Sequence, residues 1–192
     1  DAMRESQADE VYNLAAQSHV QVSFMIPLQY KSILGIGNAA KLVSYVWAIN
    51  GTCCAFFTPI ILLFTSKNNI EKNMLVASLI YILGFSCYCF TSNVYICLFS
   101  VPIWTIGEII INTNSGVFIA SRAPDAYRAR YQSLNEFACG TGRCLGPIVM
   151  SYFLIKHSYP SGWILVVIAC LLASIIMTYI YKLSKREKII YH

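Results

Sequence analysis

Long apolar runs alternate with short polar breaks along this chain. A bilayer core about 30 Å thick takes roughly 20 residues of helix at 1.5 Å rise, and five runs come near that length. They lie at residues 42–64, 74–90, 94–120, 134–155 and 163–181. The first, second and fifth hold no charged residue, the third holds Glu108, and the fourth holds Glu136 and Arg143. The pattern predicts an all-α fold, a polytopic transmembrane helix bundle of about five spans.

The breaks alternate in charge. Residues 65–73 carry Lys67 and Lys72, residues 91–93 carry none, residues 121–133 carry Arg122, Arg128 and Arg130, residues 156–162 carry Lys156, and the tail carries Lys182, Lys185, Arg186 and Lys188. Cytoplasmic loops accumulate Lys and Arg, so the basic loops and the C-terminus are expected to face the cytoplasm of a multi-pass protein in the cell membrane. Tyr95, Trp163, Tyr179 and Tyr181 sit near span ends, where amphipathic rings favour the membrane interface. Five spans put the N-terminus outside; if residues 25–34 complete a sixth span, it returns inside.

Composition agrees: 57% of the residues are hydrophobic and 12% charged, so the lipid bilayer is the expected surrounding. The net charge of +5 does not indicate a nucleic-acid partner, because the basic residues form short clusters between apolar runs instead of one basic face. Seven of the eight cysteines, Cys53, Cys54, Cys87, Cys89, Cys97, Cys144 and Cys170, lie in apolar stretches and read as small hydrophobes. With no C-x-x-C pair, no H-E-x-x-H and only His19, His157 and His192, neither metal nor cofactor is expected. The chain begins at Asp1 without a leader pattern and is expected to be a piece of a longer protein.

Polar residues inside the spans are the candidate transport-pathway groups. An acid at bilayer depth costs about 2.5–3.5 kcal/mol on insertion scales unless it is protonated, paired or hydrated. Glu108 is therefore expected either to line a cavity, relaying a proton or binding a cation, or to hydrogen-bond a neighbouring helix as the neutral acid. Arg143 lies two helical turns from Glu136, so both can share one face, and an ion pair of Arg143 with Glu108 or Glu136 is one expectation. A packing charge nearer the interface is the other. Asn50, Asn112 and Asn114 are suited to binding solute or to bonding between helices. Gly107, Gly140, Gly142 and Gly146 permit close helix approach, and Pro59, Pro102 and Pro147 introduce bends.

Several of these stretches resemble the second half of a major facilitator superfamily transporter, over about residues 27–185. Ser44-Tyr-Val-Trp-Ala-Ile-Asn50-Gly51 with Thr58-Pro59 resembles that family's eighth helix. Gly107-Glu108, Ser121-Arg-Ala-Pro124 and Arg128-Ala-Arg130-Tyr131 resemble its tenth helix and the turn that follows, and Gly142-Arg-Cys-Leu-Gly146-Pro147 resembles an element of its eleventh. The loop at residues 65–72 lacks the family's usual Gly and Asp, and Met150-Ser151 stands where a second Gly pair would complete the eleventh-helix element. The resemblance implies a permease moving a small solute by alternating access, possible proton coupling, and an N-terminal half that this stretch does not include.

Residues 9–24, Asp9-Glu-Val-Tyr-Asn-Leu-Ala-Ala-Gln-Ser-His-Val-Gln-Val-Ser-Phe24, resemble a segment of GDP-mannose 4,6-dehydratases. There the turn equivalent to Leu14, Ala15, Ala16, Gln17 and Ser18 lines an NADP site, small side chains letting the backbone approach the cofactor. Here the segment is expected to be a non-functional vestige. Gly35-Ile-Gly37-Asn-Ala-Ala40 follows no strand, and Tyr152-Phe-Leu-Ile-Lys156 reads as an interfacial Tyr and a snorkelling Lys. The expected division is therefore a dehydratase-like vestige at 1–24, a junction or remnant helix at 25–41, a transporter half domain at 42–185 and a cytoplasmic tail at 186–192. The alternatives to a transporter fragment are a fragment of the NADP-dependent dehydratase and a membrane scaffold without transport.

Overall fold

A computed structural model describes residues 19–90 and 93–190. The dehydratase-like turn Leu14 to Ser18 lies outside the described residues. Among those described there are six α-helices, one short 3-10 turn and no strand. In chain order the helices are α1 (His19–Leu34), α2 (Ile36–Thr65), α3 (Ile70–Phe90), α4 (Val94–Arg122), α5 (Arg128–Lys156) and α6 (Tyr159–Ile190), with the 3-10 turn at Asp125–Tyr127 between α4 and α5.

Among the described residues five helices are long and apolar enough to cross a membrane, matching the five apolar runs. Each reaches beyond its run, because helical hydrogen bonds are indifferent to side-chain polarity and continue into the headgroup region. Thus α2 starts at Ile36 and α5 at Arg128. α1, at 16 residues, is about 24 Å long and runs unbroken through residues 24 and 25. Gly35 separates it from α2 with φ 76°, a left-handed conformation that suits glycine, while its N–H still reaches the Lys31 carbonyl at 3.0 Å.

Packing centres on α3 and α4. α3 lies chiefly along α4 and α6, and α4 packs also on α2. Gly84 of α3 lets α4 come close: a Cβ there would stand 2.7 Å from Trp104 Cβ and 2.9 Å from Trp104 N. Gly107 of α4 similarly faces the Ala77 carbonyl, 3.0 Å from where a Cβ would be. Gly140 and Gly142 make no such approach, having nothing within 4 Å, so their expected role in close packing is not seen. α5 meets its neighbours sparsely; 6% of its apolar stretch is buried against 50% of that of α4. Outward-facing Phe56, Leu63, Phe64, Leu83, Phe99 and Ile155 form a surface suited to lipid.

Candidate functional site

Polar contacts between α4 and its neighbours run toward one end of the bundle. Near the middle of α4, Asn50 of α2 uses its amide nitrogen twice, donating to Thr105 Oγ1 at 2.9 Å and to Glu108 Oε2 at 3.0 Å. Thr105 in turn donates to the Val101 carbonyl at 2.7 Å. All three side chains are buried. An amide N–H donates equally to a carboxylate oxygen or to the carbonyl oxygen of a carboxylic acid, so this cradle accepts Glu108 in either protonation state.

Further along, Asn73 of α3 donates to Asn114 Oδ1 at 3.0 Å and to the Thr65 carbonyl at 2.9 Å, while Asn114 donates to the Ile110 carbonyl at 2.8 Å. At the end, Arg122 Nη2 meets Glu71 Oε1 at 2.6 Å, with its guanidinium 4.1 Å from the centre of the Phe118 ring. Glu71 opens α3 and Arg122 closes α4, so this pair places the α2–α3 loop and the α4–α5 turn at the same end of the molecule. The basic residues of both breaks thus gather there.

The other end of α3 and α4 is closed by aromatic rings. Tyr88 and Trp163 stack with centroids 4.5 Å apart, and Phe85 stacks on Trp104 at 5.9 Å and on Trp163 at 6.0 Å. Trp104 Nε1 donates to Tyr88 Oη at 3.2 Å, and Trp163 Nε1 donates to Gln29 Oε1 at 2.6 Å, tying α6 to α1. Trp163 is fully buried, which corrects its expected place in an interfacial belt; Tyr95 and Tyr179 are exposed, as that belt requires. A buried indole needs an acceptor, and Gln29 supplies one inside the bundle.

The sequence-derived candidates separate in space. Glu108 and Asn50 come together, whereas Asn112, one turn beyond Glu108, is half-buried. Arg143 is half-buried on α5, and Glu136 is exposed. The expected ion pair of Arg143 with Glu108 or Glu136 does not form; among the described residues the ion pairs are Glu71–Arg122 and Asp125–Arg128. Seven residues apart, the two stand about 10 Å from each other along α5, and the neighbouring helices cover the level of Arg143 but not that of Glu136. Thr105, Glu71 and Asn73 were not singled out from the sequence. Glu71, the only acid in the first basic break, and Asn73 beside the following apolar run were the available signals.

A cavity of ≈ 580 Å³ opens between α3, α5 and α6, bordered among others by Tyr81, Phe85, Gly142, Gly146, Leu165 and Cys170. Its walls are almost wholly apolar. No group of three His, Cys, Asp or Glu side chains is placed to hold a metal ion among the described residues.

Residues 23–189 match the family model described as Major Facilitator Superfamily. The chain is also 26% identical over 155 residues to an uncharacterized MFS-type transporter, YttB, of Bacillus subtilis (strain 168), a match that covers 80% of this chain and 38% of that protein. The chain thus spans well under half the length of this relative. No solved structure matches it. Nothing in these comparisons supports the dehydratase resemblance of residues 9–24.

Proposed function

The chain belongs to the major facilitator superfamily, and we propose that it forms the C-terminal half of a secondary active transporter that moves a small solute by alternating access. The observation that carries this reading is the Glu108 carboxyl, buried halfway along a spanning helix and held by Asn50 of a second helix. An ionisable residue at that depth is costly, and transporters use such groups to couple solute movement to a cation gradient. In this reading Glu108 takes up and releases a proton as access alternates, its Oε2 remaining hydrogen-bonded to Asn50 in both states. Asn112, one turn along the same helix, faces the pathway with it. In this reading the end that carries Lys67, Lys72, Arg122, Arg128 and Arg130 faces the cytoplasm, and the C-terminus lies on the same side, a reading the basic loops support. The N-terminal half of the parent protein completes the pathway at the interface of the two halves.

The test is reconstitution of this chain with a separately expressed N-terminal half in liposomes that enclose a pH-sensitive dye. Gradients of sugars, amino acids and organic acids are imposed in turn. Solute-driven proton movement that disappears in Glu108→Gln supports the reading. Solute flux without proton movement, unchanged in Glu108→Gln, removes the coupling role. Absence of flux for every solute with both halves inserted favours a membrane scaffold.

A further inference from the structure

The apolar cavity between α3, α5 and α6 has a definite depth and direction. Its wall on α5 begins at Gly142, the midpoint of that helix, and ends at Met150; on α6 it runs from Ala173, close to the middle of the span, to Leu165. On α3 it extends from Ser78 to Phe85. Each helix thus lines it over about two turns, so the cavity is a cleft running along the helices. α5 ends and α6 begins at the same end of the bundle, so the cleft rises from mid-depth toward the turn that joins them, away from the Glu71–Arg122 pair. Gly142 and Met150 stand about 12 Å apart along α5, against roughly 15 Å for the hydrocarbon half of one leaflet.

The walls suit hydrocarbon. Ser78 is buried and its hydroxyl donates to the Leu75 carbonyl at 2.8 Å, so its proton is already placed inside the protein. Tyr81 lays its ring on Phe85, with centroids 5.4 Å apart, and Cys170 serves as a small hydrophobe. The cleft also opens sideways. Leu145, Val149 and Leu165 on its rims are exposed, and Ile148, Ile164 and Ile168 beside them face outward, which makes the opening continuous with the surface suited to lipid. An apolar slot that opens at bilayer depth and runs parallel to the helices matches a lipid tail in polarity, length and direction.

We propose that one acyl chain of a bilayer lipid lies in this cleft and holds α5, which meets its neighbours sparsely, against α3 and α6. The site recognises the tail and not the headgroup, and it is independent of what the protein transports.

The test places the 192-residue chain in vesicles of phosphatidylcholine that carries a diazirine near the end of one acyl chain. Irradiation inserts the tail into the side chain it touches, and peptide mass spectrometry locates the label. Leu79 faces outward near mid-depth and reports ordinary contact with lipid, whereas Ser78 and Ile111 border the inner end of the cleft. Labels at Leu79 and also at Ser78 or Ile111 are expected; labelling of Leu79 alone would overturn the proposal. Gly142 borders the cleft and a Cβ there meets nothing within 4 Å, so Gly142→Phe can place its ring where the tail would end. This variant is expected to lose the labels at Ser78 and Ile111 and keep that at Leu79, and labels that survive in the cleft would count against an occupant there. The unmutated chain decides the matter even if the variant does not insert. Phosphatidylglycerol with the same modified tail is expected to label the same residues; loss of the cleft labels would make the headgroup the recognised part and overturn the proposal. Their loss on inserting the N-terminal half alongside would also overturn it, because that half would then cover the cleft.

Discussion

Asn50 and Glu108 join α2 to α4 through a 3.0 Å hydrogen bond buried inside the bundle. The same amide nitrogen holds Thr105, so one small side chain satisfies two polar groups that lipid would not. Replacing Asn50 by Ala removes both donors. Hydrogen bonds between membrane helices average about 0.6 kcal/mol and reach about 1.7 kcal/mol, and Asn50→Ala is expected to destabilise the chain within that range per bond. Equilibrium unfolding in mixed micelles measures it. Asn50→Asp removes both donated hydrogen bonds and sets a second acid beside Glu108, and is expected to destabilise the chain more than Asn50→Ala.

Gly84 is expected to tolerate no side chain. A Cβ there meets both the Cβ and the backbone nitrogen of Trp104, which cannot rotate away, so Gly84→Ala forces α3 and α4 apart. Overpacking of this kind costs about 1–3 kcal/mol. Gly140→Ala on α5, with nothing within 4 Å, is the matched control and is expected to leave the unfolding midpoint unchanged or slightly raised.

The Glu71–Arg122 pair is expected to contribute modestly despite its 2.6 Å separation, because the Arg122 side chain is 40% exposed. A double-mutant cycle through Glu71→Gln and Arg122→Gln should return a coupling of about 0.5–1 kcal/mol that shrinks as salt is added. A coupling that does not respond to salt would place the pair out of reach of water.

Trp163 and Trp47 are expected to differ in their access to lipid. Trp163 is fully enclosed by Tyr88, Phe85 and Gln29, whereas Trp47 on α2 is 47% exposed. In single-tryptophan variants, brominated acyl chains should quench Trp47 strongly and Trp163 little. Equal quenching would mean that the ring cluster opens in the bilayer.

How much of this was legible in the sequence depends on which property is asked about. The five spans were, because hydropathy is local and bilayer thickness sets their length. Glu108 was marked as a group needing compensation by its depth alone. Its partner was not identifiable, since Asn50 stands 58 positions away and Asn112 and Asn114 offered equal claims. Gly84 went unnoticed while Gly140 and Gly142 drew attention as glycines of the fourth apolar run, Gly142 within a family-like motif. A glycine shows its use only when another helix lies against it.

The sequence by itself determined that the chain is a bundle of membrane-crossing helices, which residues are costly in lipid, and which breaks are basic. Tertiary structure decided which faces turn inward. A helix in lipid is apolar on every side, so no amphipathic period reveals its rotation as it would in water. Packing alone set the rotations that bring Gln29 to Trp163 across 134 positions and seat Asn50 against Glu108.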